Sequence, residues 1–127
     1  MLERKQLHEY QVKGAQHIID NEFCALFLDM GLGKTVTTLT AIKDLLDNCI
    51  ISNCLVIAPK KVTQVTWSDE IRAWGHLKDL TISIIDGTVK QRREAYEKQA
   101  DIYAISRDNI VWLVMEYGGI KLPYDMV

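Results

Sequence analysis

Residues 23–28, Phe-Cys-Ala-Leu-Phe-Leu, form a continuous apolar run, as a strand buried on both faces requires. The run breaks into Asp29-Met30-Gly31-Leu32-Gly33-Lys34-Thr35, and apolar residues then return at helical spacing as Val36, Leu39, Ile42 and Leu46. Strand, glycine turn and helix in this order constrain the chain more than any other feature, because the order suits a turn whose backbone N–H groups wrap an anion. Gly31 and Gly33 lack a Cβ, so the backbone there can curl and approach a phosphate closely. Lys34 would place an ammonium on the β- and γ-phosphates of a nucleotide, and the Thr35 hydroxyl would hold Mg²⁺. Lys34 and Thr35 are thus the candidate catalytic residues, and Met30, Gly31, Leu32 and Gly33 complete the candidate cofactor loop. The bland alternative is a glycine-rich turn with a solvated lysine. Leu28 stands where the usual phosphate-loop pattern carries its first glycine, which points to a subset of such proteins.

The rest of the chain alternates helical and extended patterns without a linker or repeat. Leu7, Tyr10, Gly14, His17 and Ile18 share one helical face. Cys54–Ala58 reads as a buried strand stopped by Pro59. A helix follows, started by Thr66 and Asp69 in a capping-box arrangement or earlier near Lys61, and Gly75 is placed to cap its end after Trp74. Thr81–Ile85 is a third strand, closed by Asp86-Gly87, and residues 89–99 are helical with Glu94 and Lys98 in the favourable order. Ile102–Ile105 is a fourth strand, and Ile110, Leu113, Val114 and Tyr117 predict a last helix broken by Gly118-Gly119. The alternation implies an α/β fold, a mostly parallel sheet with helices on both faces. Ligands then gather at the carboxyl ends of the strands, where Asp29–Thr35 lies.

Composition narrows the classes. With 127 residues, 48% hydrophobic and 25% charged, the chain is one ordinary domain with a sizeable core. A net charge of -2 offers no global basic field, so any nucleic-acid contact must be a local patch. Cys24, Cys49 and Cys54 lie in or beside apolar runs and read as reduced thiols in or near the core, not as a metal site. His8, His17 and His76 are scattered and make no ligand set. No apolar stretch reaches the length of a membrane span and no secretory signal opens the chain, which favours the cytoplasm or nucleoid.

Four segments come in a telling order: Leu7-His8-Glu9-Tyr10-Gln11, Asp29–Thr35, Leu55-Val56-Ile57-Ala58-Pro59, and Trp67-Ser68-Asp69-Glu70-Ile71-Arg72-Ala73-Trp74. Together they make the chain resemble, over nearly its whole length, the first RecA-like lobe of Swi/Snf-type ATPases of helicase superfamily 2. A phosphate loop with no glycine at position 28 is typical of that family. The resemblance implies that Gln11 recognises the adenine edge of ATP, a role suited to an amide that donates and accepts in one plane. The residues alone also allow a surface glutamine on an amphipathic helix. Ala58-Pro59-Lys60-Lys61 matches the motif that touches one nucleic-acid strand, with Lys60 and Lys61 as its cations, although one more residue than usual separates Pro59 from Trp67. Two solvated lysines at a strand end are the alternative.

Ser106-Arg107-Asp108-Asn109 lies where the family carries another strand-contacting motif, so Arg107 joins the nucleic-acid candidates, but the segment departs from the common form and could simply cap a helix. Trp67 and Trp74 fit core packing better than base stacking, and Lys90, Arg92 and Arg93 fit a solvated helix face.

The family's second essential motif, Asp-Glu-x-His or a variant, should follow a strand beginning near Tyr124–Val127. The expectation is therefore a single partial ATP-binding domain over 1–127, an amino-terminal piece of a motor lobe truncated before the Walker B motif, with the second lobe absent. Met1 so close to the first motif suggests a natural start, as in small bacterial or phage members, hence a prokaryotic or phage-infected cell. The implied function is the ATP- and Mg²⁺-binding lobe of an ATPase that translocates on duplex DNA, with the 127 residues alone binding weakly and not hydrolysing. Alternatives are a phosphate-loop small-molecule kinase or a nucleotide-dependent interaction module without turnover. An unfinished sheet would also expose a strand edge, so self-association of the fragment is expected.

Overall fold

The computed structural model describes residues 1–21, 33–58, 65–106 and 112–117. Its centre is strand β1 (Ile51–Ala58), which alternates its side chains between two cores. Cys54 and Val56 face one side with Ile102 and Ala104 of β3 (Ile102–Ser106). Leu55 faces the other with Tyr103 and Ile105. β1 and β3 run parallel from Cys54 beside Ile102 to Ala58 beside Ser106. β3 in turn runs parallel to β2 (Ile82–Ile85). The sheet order is β2-β3-β1-β4, with β4 (Trp112–Tyr117) antiparallel to β1.

Helices cover both faces, as expected. On one side lie α2 (Lys34–Asp47) and α3 (Trp67–Ala73), and on the other α4 (Val89–Glu97), which contributes Tyr96. The first core is the larger. Val36, Leu39, Ile42 and Leu45 from α2 meet Trp67, Ile71, Trp74 and Leu77 there, so both tryptophans are packing residues. α1 (Glu9–Asp20) lies outside α2, with Ala15 and Ile18 against Ala41.

Several sequence expectations are corrected. The segment expected as a last helix is strand β4 over Trp112–Tyr117. Its composition is apolar and aromatic almost throughout, which suits either state, and pairing with β1 satisfies its backbone. The buried face of α1 is Gln11, Gly14, Ala15 and Ile18, whereas Tyr10 and His17 are exposed and Leu7 packs on the main core from ahead of the helix. Thr66 caps nothing, because its own backbone is already helical (φ -60°, ψ -47°). Gly75 is no left-handed cap; it opens a short 3₁₀ turn, and its N–H donates to the Leu2 carbonyl at 2.7 Å. Cys54 is buried but Cys49 is exposed, in a left-handed turn residue (φ 58°) after α2. Lys98 has already left α4 in extended backbone, so it is not placed for the helical pair with Glu94. The strand expected at 23–28, Cys24, and the strand start at 124–127 lie outside the described residues.

Candidate functional site

Fourteen-residue α2 descends the sheet face and a tight turn returns the chain into β1, so the amino end of α2 and the carboxyl end of β1 sit at the same end of the sheet. Gly33 takes up the left-handed conformation there (φ 74°, ψ 43°). The first helical bond of α2 is Thr37 N–H to the Gly33 carbonyl at 3.1 Å, which leaves the N–H groups of Lys34, Thr35 and Val36 ahead of any helical acceptor. Among the described residues no side chain caps this end, and no acidic residue occupies the first turn. The end is thus electropositive by its dipole, and its first turn carries no competing carboxylate.

The threonines of α2 divide into two kinds. Thr37, Thr38 and Thr40 donate their hydroxyls to the carbonyls of Gly33, Lys34 and Val36 at 2.8–2.9 Å. Thr35 makes no such bond among the described residues, and it is only half-buried, while Lys34 is exposed. An ammonium, a hydroxyl and uncapped N–H groups are a donor set suited to a phosphate with its Mg²⁺.

Gln11 completes the arrangement. It is 6% exposed, so the surface alternative fails. Its Oε1 accepts the His8 N–H at 2.8 Å. Its Nε2 lies where a Cβ on Gly33 would sit, so any side chain at position 33 would overlap the amide. Packing of α1 on α2 through Ala15, Ile18 and Ala41 sets this contact. The glutamine expected at the adenine and the last glycine of the expected phosphate loop therefore touch, although 22 positions separate them. His8 was missed in the sequence: its backbone N–H fixes the amide, and the helix-start spacing of three from His8 to Gln11 was the available signal.

Met30, Gly31, Leu32, Lys60, Lys61 and Arg107 lie outside the described residues. The backbone leading to the last three is nevertheless informative. Ala58 and Ser106 are partners in register, so the segments carrying Lys60 and Lys61 and carrying Arg107 depart from neighbouring strand ends. Among the described residues there is no cluster of three or more metal-ligating side chains, and no helix is long and apolar enough to cross a membrane.

The chain is similar to known proteins. The family described as "SNF2-related domain" matches residues 6–115. Protein p41 of Acyrthosiphon pisum secondary endosymbiont phage 1 is 37% identical over 107 residues, covering 83% of this chain and 23% of that protein. "Probable ATP-dependent DNA helicase CHR12" of Arabidopsis thaliana is 32% identical over 105 residues (79% of this chain, 9% of that protein). Human "Chromodomain-helicase-DNA-binding protein 9" is 33% identical over 128 residues, or 96% of this chain and 4% of its own. Among solved structures, the Sulfolobus solfataricus SWI2/SNF2 ATPase core in complex with dsDNA superposes with a TM-score of 0.66 at 26% identity, over 80% of this chain and 21% of that one. The chain spans less than a quarter of the length of each of these relatives. A match over residues 6–115, on a parallel sheet of the same fold, places the chain in the SNF2-related domain family.

Proposed function

We propose that the chain is the ATP-binding part of the first lobe of a DNA-dependent ATPase that translocates on duplex DNA. The observation that carries this reading is the buried Gln11 amide against left-handed Gly33 at the open start of α2. In this reading Lys34 neutralises the β- and γ-phosphates, and backbone N–H groups of residues 30–35 bind their oxygens. The Thr35 hydroxyl holds Mg²⁺, which when bound offsets the charge developing on the transferred phosphoryl group. Gln11 reads the adenine edge while its contact with Gly33 couples base recognition to the phosphate loop. Lys60, Lys61 and Arg107 meet the phosphates of one DNA strand, reading no sequence. Relatives named as DNA helicases and a neighbour solved on dsDNA support this assignment, and membership of the family favours it over a phosphotransferase. The 127 residues alone bind Mg-ATP without turning it over, since a water-activating carboxylate and a second lobe belong to the catalytic cycle.

Titration of Mg-ATP into wild type and Lys34→Ala tests the reading. Charge-assisted hydrogen bonds contribute about 1.5–3 kcal/mol each, so affinity should fall roughly tenfold to a hundredfold. Equal affinities would remove Lys34 from the phosphate site.

A further inference from the structure

Strand β2 ends the sheet among the described residues, and its outer backbone has no strand partner there. A trough of about 610 Å³ runs along this edge, between β2 and α3. Its floor mixes apolar and polar groups: Ile82 and Ile84 at alternate positions of the strand, with Leu80 and buried Ile71 of α3, stand beside Ser68 and Ser83. Its rim carries Arg72, Lys78 and Lys98; among the described residues no carboxylate lines it, and the Asp101 carboxylate is engaged by Thr81 at the start of the strand. Arg72 is partly neutralised by Asp69 at 2.5 Å, but neither lysine makes an ion pair among the described residues, and both are exposed.

We infer that this edge is a docking site for an extended, acidic segment of a partner protein that adds to the sheet as a strand beside β2. Three properties converge on that occupant. Among the described residues the outward N–H and C=O groups of Ile82–Ile85 have no strand partner, and such groups select extended backbone. Because side chains alternate along a strand, every second residue of the added segment lies over the isoleucine floor and prefers an apolar group. The lysines then select carboxylates at the flanking positions. Nothing in this site overlaps Gln11, Gly33, Lys34 or Thr35, so the inference does not depend on the nucleotide reading.

The test is fluorescence anisotropy with a labelled peptide of alternating valine and aspartate or glutamate, titrated with the whole chain. Three comparisons accompany it: the same peptide N-methylated at alternate amides, a peptide with lysine in place of the acids, and the variant Lys78→Glu/Lys98→Glu. Both lysine side chains are exposed, and the Tyr103 hydroxyl donates to the backbone carbonyl of Lys98, which the substitution retains, so the variant keeps its fold, which a thermal melt verifies. Saturable binding of the acidic peptide is expected, weakened at least about tenfold by N-methylation and by the charge reversal. The variant should take the lysine peptide instead. Absence of saturation up to about 1 mM, or equal binding by the N-methylated peptide or by the variant, overturns the inference. A dimer that forms through β2 and excludes the peptide also overturns it, by naming a second copy as the occupant.

Discussion

Helices α2 and α4 begin alike and are stabilised differently. A left-handed glycine comes just ahead of each, Gly33 (φ 74°) and Gly87 (φ 92°), and at each a glutamine amide fills the space where the glycine's Cβ would lie. At α4 that glutamine belongs to the helix itself. Gln91 Oε1 accepts the Thr88 N–H at 2.9 Å, and the Thr88 hydroxyl accepts the Gln91 N–H at 3.2 Å, a reciprocal capping box. At α2 the glutamine comes from another helix, α1, and among the described residues no side chain caps the end. Burial explains why α2 can do without. It buries eight residues, Val36 to Ile42 and Leu45, where α4 buries only Tyr96. A helix held by tertiary packing can leave its first N–H groups open to a ligand, whereas a helix on the thin face of the sheet needs them closed.

Gly33→Ala attacks the difference most strongly. The left-handed backbone costs an alanine about 1–2 kcal/mol, and the new methyl displaces the buried Gln11 amide. Thermal stability and Mg-ATP affinity should therefore fall together. Gly87→Ala, with the same backbone strain and an overlap with Gln91, should lower stability and leave affinity untouched. Parallel melts and nucleotide titrations decide it, and a Gly33→Ala protein that binds as wild type does would make the two helix starts equivalent. A smaller effect is expected at the cap itself: Thr88→Ala removes the side-chain acceptor for Gln91 and should cost roughly 1 kcal/mol by urea unfolding, again without changing nucleotide affinity.

The parts of the fold legible in the sequence were those with two independent signals. α2 has apolar residues at helical spacing together with a polar opposite face and a glycine start, and its stop near Asp47-Asn48 follows from turn chemistry. The parallel strands announced themselves as apolar runs bounded by Pro59, by Asp86-Gly87 and by polar residues. Residues 110–117 carry only one signal. Ile110, Leu113, Val114 and Tyr117 fit a helical face, but Val111, Trp112 and Met115 are apolar as well, so the period discriminates nothing and pairing with β1 decides. At the candidate site, the place of Lys34 and Thr35 at the start of α2 was readable from local order. The Gln11–Gly33 contact was not, because it depends on how α1 lies across α2, through small Ala15 and Ala41, and no local pattern encodes that crossing.

The mildest expected effect concerns the packing that frees α2 from needing a cap. Thr40, buried in α2, donates its single hydroxyl hydrogen to the Val36 carbonyl at 2.8 Å, so at its 2.8 Å contact with His76 the ring nitrogen Nε2 must be the donor. The neutral ring then carries its lone pair on Nδ1, which is buried without a partner among the described residues. Protonation would place an N–H there with no acceptor, and burial pushes the imidazole below its usual 6.5; nearby Arg4 and Lys43 act in the same direction, against Asp44 and Glu3. Because the folded value is depressed, the unfolded chain binds more protons once the pH falls below about 6.5. The contribution of His76 is therefore complete above that pH and declines as acid is added. Urea midpoints of wild type and His76→Gln, followed from pH 7.5 down to pH 5, isolate it from the carboxylates common to both. The wild type should lose stability faster than the variant across that window. Parallel curves would mean that the ring is solvated, and that the α2 contact tolerates the imidazolium. Thr88→Ala supplies the contrast, since neither member of that capping box titrates in the window and its cost should stay constant.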